Sequence, residues 1–591
     1  MKFSKVLLAA FLGTLIALLV NFFVKVSFFS ALISNSQKSE EVTKLKPNSV
    51  LHLKLDYDIP ERSSDFNFGM FDFQSMETKE TTGLNDILRN LRHAATDPNI
   101  KGIYLDMSSV PVSGATLKEL RNALLKFKES GKFILSYGDT YTQGAYYLAS
   151  VADKVYLTPD GVLDLHGMVS QIMFYKNMFD KLGIEMQIVR GPNNRFKSAV
   201  EPYFLDKMSE ANREQMEKLL GSLWTEIVTG ISESRGISIE KLNQIADNLE
   251  TYFDADKALE YGLVDGLRYK DEVIAELKTL TDVDGKLHSI TNSNYLKSYK
   301  EKNTSKNEVA LVYAAGNIVM GKGTDSSIGS ETLSKAIREA REDKSVKAIV
   351  LRVNSPGGSA LASDIIGHEI QLAMKEKPVV ISMGDYAASG GYWISAKSNY
   401  IFAQPNTITG SIGVFGTLPN AQKFMNEKLG LTVDVAKTNE NADFGSIYQP
   451  LTEKQYACLQ QNVVRTYDNF TKLVSEGRNL RQSYVDSIGQ GRVWAGVDAL
   501  ELGLVDQLGN IDDALVYAAN LASVQDDYKV VEFPKQKDFM TRLMESMNQE
   551  DEIQAAVKQQ MGPYYHYFEA LKSIPDNAEI QARIPFDMVI E

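Results

Sequence analysis

The sequence predicts an α/β protein made of two copies of one parallel-sheet domain, preceded by a single transmembrane helix. Three observations support this fold class. An apolar segment lies near the N-terminus, short motifs of the first half recur in the second half, and apolar strands alternate with helices in each half. The 591 residues are 44% hydrophobic and 24% charged, which is enough apolar content for several cores.

The N-terminal segment predicts a membrane anchor. Met1 to Lys5 is short and basic, and Val6 to Phe23 is almost wholly apolar. About 20 apolar residues span a bilayer, whereas a cleaved secretory signal has a shorter apolar core followed by an A-x-A-like site. No clear site of that kind precedes Lys38. We expect residues 1–33 to form a retained anchor with its N-terminus in the cytoplasm, because Lys2 and Lys5 precede the span.

A long-period repeat predicts the duplication. Gly262–Leu267 (GLVDGL) recurs 241 residues later as Gly503–Leu508 (GLVDQL). Gly144–Tyr147 (GAYY) matches Gly390–Trp393 (GGYW), 246 residues later. Two matched segments in the same order, at nearly the same offset, indicate a duplicated domain with small insertions.

Each copy alternates strands and helices, the pattern of βαβ units with a parallel sheet and right-handed crossovers. The predicted strands are Val50–Leu55, Gly102–Asp106, Phe133–Tyr137, Glu308–Tyr313, Val346–Val353 and Val379–Met383. The predicted helices are Leu84–Thr96, Leu117–Ser130, Ser330–Asp343 and Ala360–Lys375. We divide the chain into an anchor (1–33), a polar linker (34–48), a first repeat (49–280), a connector (281–306), a second repeat (307–534) and a C-terminal tail (535–591).

Composition excludes several functions. The net charge of −13 disfavours a nucleic-acid partner, since phosphate binding needs a basic face. The single cysteine, Cys458, cannot form an intramolecular disulfide. It lies in the helical stretch Leu451–Ser475, where a small buried side chain is a better interpretation than a thiol nucleophile. We find no metal-ligand cluster or nucleotide-binding loop in the sequence, so we expect no metal site and no cofactor.

Two turns carry candidate chemistry. Gly357 and Gly358 follow a predicted strand, and bare N–H groups at the end of a parallel strand can bind an anion or an oxyanion. Ser389 lies among small residues before a predicted helix, Gly391–Ala396, and the N–H of Gly390 is a second possible donor. An ordinary strand–helix turn and a serine N-cap are the alternatives. The first copy has Gln143 where the second has Ser389, which favours one specialised copy.

A serine nucleophile needs a base. None of the six histidines lies in a segment typical of a triad, and no G-x-S-x-G elbow is present. His368, on the helix after the glycine pair, is expected to be a surface or packing residue. A lysine base works only when neutral, so burial must lower its pKa from about 10.4 toward 7–8, at a cost of roughly 4 kcal/mol. Composition does not choose among the 63 basic residues.

Several segments together resemble the long form of the signal peptide peptidase A (protease IV) family. Phe196–Pro202 (FKSAVEP) resembles its lysine motif, and Ala387–Trp393 resembles its nucleophile motif. Asn354–Gly358 resembles its oxyanion loop, which is shared with Clp-type proteases and loosely with crotonases. Thr409–Val414, whose serine lies 22 residues after Ser389, also matches. The resemblance covers nearly the whole chain.

The resemblance implies tandem Clp/crotonase-like domains and a serine endopeptidase without a cofactor. It implies Ser389 as nucleophile, Lys197 as base, Ser411 as hydrogen-bond partner of the lysine, and the N–H groups of Gly358 and Gly390 as oxyanion donors. The implied substrates are hydrophobic peptides, notably cleaved signal peptides. The implied assembly is a homotetramer, anchored in the inner (plasma) membrane with its catalytic part on the outer, periplasmic side.

The duplication then predicts a single site shared between the halves. Gln143 and Leu165 stand opposite Ser389 and Ser411, and Asp443 or Phe444 stands where a second lysine would be. Whether Lys197 serves its own chain or a neighbouring one stays open. Two alternatives remain at this stage: a crotonase-like acyl-thioester enzyme, which needs no serine–lysine pair, and a non-catalytic membrane scaffold.

Overall fold

The computed structural model describes residues 44–63, 71–72, 77–78, 82–300, 303–324, 326–535 and 581–583. The predicted anchor at 1–33 lies outside these residues, as do most of the linker and most of the tail. Among the residues that are described, no helix combines the length and the apolar character needed to cross a bilayer.

Two sheets with the same strand order form the framework. The first runs Gly266–Leu267, Lys154–Leu163, Phe133–Tyr141, Ile100–Asp106, Ser49–Leu53 and Ser289–Thr291, all parallel. The second runs Gln507–Leu508, Tyr400–Ala403, Val379–Ala388, Val346–Ser355, Glu308–Ala315 and Lys529–Phe533, also all parallel. Its strand Val379–Ala388 also pairs with Ile408–Gly410, which in turn pairs with Val493–Ala495. The predicted α/β class with parallel sheets is confirmed.

A third sheet joins the two halves. Its order is Ser327–Gly329, Asn317–Val319, Gly357–Ser359, Gln581–Arg583, Phe415–Asn420 and Glu185–Arg190. The last two strands pair antiparallel over six residues, from Phe415 opposite Arg190 to Asn420 opposite Glu185. Because one of them comes from each repeat, this sheet holds the chain leading to Lys197 against the second repeat. A two-stranded hairpin pairs Phe71–Asp72 with Glu77–Thr78.

Helices cover the sheets. In the first half they are Leu84–Thr96, Gly114–Lys128, Gln143–Ala149, Lys176–Leu182, Glu201–Phe204, Glu210–Arg235, Ile239–Asn248, Ala255–Glu260, Lys270–Thr281 and Asn292–Ser298. In the second half they are Ser330–Glu342, Ala360–Met374, Gly390–Ala396, Glu453–Arg478, Gln482–Ile488, Gly496–Glu501 and Ile511–Leu521, with a π-helical turn at Phe424–Lys428. Short 3₁₀ geometry at Ser198–Val200 follows Lys197.

The two copies share detailed contacts. The Tyr146 hydroxyl donates to the carbonyl of Leu263 at 2.7 Å. The Tyr392 hydroxyl, at the matching place, donates to the carbonyl of Leu504 at 2.8 Å. Because each bond joins the two motifs from which the repeat was inferred, the motifs are neighbours in both folded copies.

The structure departs from the expectations in several places, including the following three. The strand predicted to end at Met383 continues to Ala388, because Tyr386–Ala388 pairs with a further strand. Ser289–Thr291, within the predicted connector, is the edge strand of the first sheet. Cys458 lies on a helix as predicted, but its predicted burial is wrong, since it is on the exposed face of Glu453–Arg478.

Candidate active site

Ser389 occupies a strained turn between a buried strand and a short helix. Its backbone has φ +55° and ψ −111°, a conformation that costs an L-residue roughly 1–3 kcal/mol. The Ser389 N–H donates to the carbonyl of Gly410 at 2.8 Å, which fixes the turn to the neighbouring strand. Its side chain makes no capping hydrogen bond to the helix Gly390–Ala396. The N-cap alternative is therefore wrong, and the hydroxyl is free to bond elsewhere.

Lys197 reaches this turn from the first repeat. The Phe196 N–H donates to the carbonyl of Gln490 at 2.9 Å, joining the lysine segment to a loop of the second repeat. Gln215, on the helix Glu210–Arg235, donates to the carbonyl of Phe196 at 3.0 Å and to the hydroxyl of Ser198 at 2.9 Å. Both flanks of Lys197 are thus held, which limits the positions that its amine can take.

The amine and two hydroxyls meet in the interior. Lys197 Nζ lies 2.8 Å from Ser389 Oγ and 2.9 Å from Ser411 Oγ, and 3.3 Å from the carbonyl of Ser411. All three residues have 0% exposed surface. The contact joins residues of one chain. Ser411 also has a positive φ of +50°, and its N–H donates to the carbonyl of Arg492 at 2.7 Å.

Burial sets the protonation of Lys197. Loss of hydration lowers the pKa of Lys197 well below its ordinary value of 10.5, and no carboxylate offsets this shift. Its three contacts are to neutral oxygens, which stabilise an ammonium less than an ion pair would. A neutral amine 2.8 Å from a hydroxyl is the arrangement that can accept the hydroxyl proton.

Two glycine amides lie beside the serine. Gly357 and Gly358 have φ of +105° and +153°, and a Cβ on Gly358 would stand 2.1 Å from the carbonyl oxygen of Ile318. A Cβ on Gly390 would stand 3.1 Å from the amide nitrogen of Gly358. Only glycine fits this close approach, which brings the backbones of the two predicted oxyanion turns together.

Two glycines shape the lysine channel: Gly413, within the matched segment Thr409–Val414, and Gly491, which the sequence analysis did not single out. A Cβ on Gly491 would stand 2.4 Å from the Cβ of Lys197, and a Cβ on Gly413 would stand 3.3 Å from its Cδ. The Gly491 N–H donates to the carbonyl of Ile412 at 2.8 Å. These backbones enclose the aliphatic stem of the lysine. Their proximity to Lys197 is long-range in sequence, so no local motif revealed it.

Replacing Gly491 with alanine should lower kcat by about 100-fold, because the new methyl group displaces Lys197, and small misplacements at a reacting centre have effects of this size. Gly503→Ala is the matched control. The two glycines have φ of +84° and +75°, but a Cβ on Gly503 meets only Leu480, at 3.6 Å. Activity assays and thermal unfolding of both variants check this. Equal loss of activity in the two would show that backbone strain alone is responsible.

A buried charge cluster supports the two turns from behind. Arg352, on the strand before the glycine turn, donates through Nε to Glu61 at 2.8 Å and through Nη1 to Glu119 at 2.7 Å. Asp385, on the serine strand, accepts from the N–H and the hydroxyl of Thr116 at 2.9 and 2.8 Å. Because Glu61, Thr116 and Glu119 belong to the first repeat, the cluster holds the halves together next to the site.

The cluster has more carboxyls than cations. Burial raises the pKa of Glu119 to about 7 and also raises the pKa of Asp385. Burial opposes the charged form of Arg352, but the neighbouring Glu119 and Glu61 carboxylates raise its pKa above the ordinary value. Arg352 therefore stays charged, and Glu119 is partly protonated near neutral pH.

In the first copy, the position that corresponds to Ser389 is occupied by Gln143, whose amide is bonded to neighbouring backbone groups. Gln143 accepts through Oε1 from the N–H groups of His166 and Gly167, at 3.0 and 2.8 Å, and donates through Nε2 to the carbonyl of Gly167 at 2.9 Å. A hydrogen-bonded amide thus stands where the second copy has the Ser389 hydroxyl. His368 is exposed, and no group of three or more potential metal ligands occurs within the described part of the chain.

The sequence profile of Peptidase family S49 matches residues 126–284 and 371–525, one segment in each repeat. The chain belongs to this family. It is accordingly a serine protease, and the family predicted from the motifs is confirmed. The S49 chain is 35% identical to Protease 4 of Haemophilus influenzae over 524 residues, which cover 85% of this chain and 84% of that protein.

Two further relatives agree with this assignment. Protease 4 of Salmonella typhi is 39% identical over 467 residues, covering 76% of the S49 chain and 74% of that protein. The chloroplastic serine protease SPPA of Arabidopsis thaliana is 32% identical over 498 residues, covering 82% and 71%. Among solved structures, a ClpP1 mutant from Listeria monocytogenes is 17% identical and covers 35% of this chain and 94% of its own, with a TM-score of 0.24, too low to inform the site.

Proposed function

We propose that this serine protease is a membrane-anchored endopeptidase in which Ser389 and Lys197 form a catalytic dyad, and that it degrades cleaved signal peptides and other hydrophobic peptides. The observation that carries the proposal is the 2.8 Å contact between a buried amine and a buried hydroxyl from opposite halves of the chain. Neither group has a competing charged partner among its hydrogen bonds.

In the proposed mechanism, neutral Lys197 takes the proton of Ser389 as its Oγ attacks a peptide carbonyl. The N–H groups of Gly358 and Gly390 stabilise the oxyanion of the tetrahedral intermediate. Lys197 then gives the proton to the leaving amine, and a water hydrolyses the acyl-enzyme. Ser411 orients Lys197 through its hydroxyl at 2.9 Å, which keeps the lone pair directed at Ser389.

The membrane part of the proposal rests on the N-terminal sequence. The apolar run Val6–Phe23 would tether the enzyme as a single-pass protein of the inner membrane, with its catalytic part on the outer, periplasmic side. A tethered protease meets peptides that are themselves held in the bilayer. Hydrophobic signal peptides left after cleavage are substrates of this kind.

An exposed apolar segment supports a homo-oligomer, which we propose to be a tetramer by family resemblance. Between positions 429 and 448, seven large apolar side chains are each more than 40% exposed: Leu429, Leu431, Val433, Val435, Phe444, Ile447 and Tyr448. Large exposed apolar patches usually mark protein interfaces, and these side chains are concentrated within 20 positions of the chain.

Covalent labelling tests the nucleophile. A fluorophosphonate probe should form one adduct, on Ser389, as its Oγ displaces fluoride from phosphorus, and Ser389→Ala should form none. Ser363→Ala is the matched control, since Ser363 is a second fully buried serine that lies beside Gly390. Peptide mapping by mass spectrometry identifies the labelled residue. An adduct elsewhere, or equal labelling of Ser389→Ala, would contradict the assignment.

A further inference from the structure

Lys197 lies at the centre of a tight backbone turn. Its φ of −75° and ψ of 77° are close to those of an inverse γ-turn, and the N–H of Ser198 donates across the turn to the carbonyl of Phe196 at 2.8 Å. A single hydrogen bond closes a turn of this type. The direction in which the lysine side chain leaves the turn therefore depends on how the neighbouring segment is fixed to the rest of the fold.

The helix Glu210–Arg235 fixes this segment at two points. Gln215 bonds the turn itself. The second point is Glu201, four residues after the lysine, whose Oε1 accepts from the hydroxyl of Ser209 at 2.6 Å. Its Oε2 accepts from Nδ2 of Asn212 at 2.9 Å and from the N–H of Ser209 at 3.3 Å. Ser209 is the N-cap of the helix, so a buried carboxylate lies against the end of the helix that favours negative charge.

Hydrogen bonds connect these two points to each other and to the second repeat. Asn212 donates through Nδ2 to Glu201 and accepts through Oδ1 from Nε2 of Gln215 at 3.2 Å. Gln215 in turn accepts through Oε1 from the N–H of Val493 at 3.3 Å. Because a carboxylate can only accept and a backbone N–H can only donate, the two ends of this chain of contacts set the orientation of both amides. The network therefore links Glu201 to the repeat that carries Ser389.

We propose that Glu201 is a positioning residue for Lys197: it holds the segment after the lysine on the first turn of the helix Glu210–Arg235, and so keeps Nζ at bonding distance from Ser389. The inference rests on the proposed function, because the position of this amine matters for turnover only if the amine is the base. Glu201 is 2% exposed. A carboxylate is costly to bury, but its two oxygens accept all three bonds, which the single oxygen of an amide could not do with the same geometry.

A reciprocal exchange of the two side chains tests the proposal. Asn212→Asp places a second carboxylate where Nδ2 now lies 2.9 Å from Glu201, and the two like charges should push the lysine segment and the helix apart. We expect kcat to fall at least about tenfold, with KM unchanged because both residues are buried away from a bound peptide. Adding Glu201→Gln restores one amide and one carboxylate in exchanged places, and should return kcat to within about threefold of the parent chain.

Asn248→Asp is the matched control, because Nδ2 of Asn248 also donates to a carboxylate, that of Glu250 at 3.1 Å, but on the exposed surface. It should leave kcat and stability close to those of the parent chain. Asn212→Leu removes the bonds of the amide without adding a charge, and it replaces Asn212→Asp if that chain does not fold, with the same expected loss of kcat. A folded chain of either kind with the parent kcat would overturn the proposal, and so would an exchange variant that is no faster than Asn212→Asp.

Combination with Lys197→Met separates this inference from the catalytic assignment. If Glu201 acts through the lysine, Asn212→Asp should lower the residual turnover of Lys197→Met by less than about twofold, although it lowers that of the parent chain at least about tenfold. Equal factors in the two backgrounds would show a general structural effect and reject the positioning role. Failure of the proposed function has a different result, since Lys197→Met would then keep the turnover of the parent chain.

Discussion

Lys197→Met is expected to lower kcat by about a thousandfold while making the folded chain more stable at neutral pH. The variant loses the proposed general base, and a positioned base contributes roughly 10²–10⁴-fold. Methionine fills the same channel between Gly413 and Gly491 without an amine to desolvate. A substitution that stabilises the fold and abolishes turnover separates a catalytic role from a structural one.

The pH dependence of stability and activity follows from the direction in which the pKa of Lys197 is shifted. The folded pKa of Lys197 is lowered, so the unfolded chain binds the extra proton between that pKa and the ordinary value of 10.5. The contribution of Lys197 to the stability of the parent chain should therefore rise with pH through this window, and the difference in unfolding free energy between Lys197→Met and the parent chain should narrow. In parallel, kcat/KM should rise with pH as Lys197 becomes neutral.

Thermal unfolding and peptidase assays across pH measure both effects. Lys335→Met is the matched control, because Lys335 is 74% exposed and should change stability by less than about 0.5 kcal/mol. Turnover in Lys197→Met that matches the parent chain would rule out the lysine as base. A stability difference between Lys197→Met and the parent chain that does not narrow as pH rises would contradict a buried neutral amine.

Arg352→Met is expected to destabilise the chain by about 3–5 kcal/mol, the usual effect of removing one partner from a buried ion pair. Both Arg352 and Glu119 are inaccessible to solvent, so Glu61, Glu119 and Asp385 would face one another without a cation. Since the strands carrying the glycine turn and Ser389 end at this cluster, activity should fall together with stability.

The loss of stability in Arg352→Met should grow as pH rises. In the parent chain the pKa of Glu119 is raised to about 7 from an ordinary 4.5, so its contribution to stability is present below about 4.5 and is lost as pH rises through about 7. Without Arg352 that pKa rises further, because the main attraction for the charged form is gone. Urea unfolding at pH 6 and pH 8 should therefore show the larger deficit at pH 8.

A control variant and a double variant test this prediction further. Arg338→Met removes an arginine that pairs with Glu369 but is 50% exposed, so it should cost no more than about 1 kcal/mol. Adding Glu119→Gln to Arg352→Met removes one unpaired carboxyl and should restore part of the stability at pH 8. A deficit in Arg352→Met no larger than that of Arg338→Met would show that the cluster does not join the halves.

The sequence predicted the fold well where local pattern is strong. The helix Leu84–Thr96 has the bounds expected from periodicity, and the strand Val346–Ser355 was found from its Val and Ile content. The strand that leads to Ser389 was predicted five residues short, because its last part, Gly384–Ala388, is rich in small residues and pairs only after a break in register. Composition alone does not reveal strand pairing of that kind.

The site was predictable only in part, for a physical reason. Ser389 and the glycine pair follow buried strands, so position along the chain indicated them. Lys197 was selected by resemblance, because its burial results from contacts with residues near 411 and 491 that no local pattern encodes. For the same reason the sequence analysis did not single out Gln215, Gly491, Arg352 or the pairing of the tail with the glycine turn.

The separation of amine and hydroxyl by 192 positions has a consequence for biosynthesis. Translation completes the lysine-bearing half long before the serine is made, and neither half alone contains both members of the proposed dyad. A nascent chain is thus inert toward its own unfolded segments and toward neighbouring translation products. The chain can become active only when its two halves have docked. A protease with this arrangement therefore needs no removable pro-segment to remain inactive during synthesis.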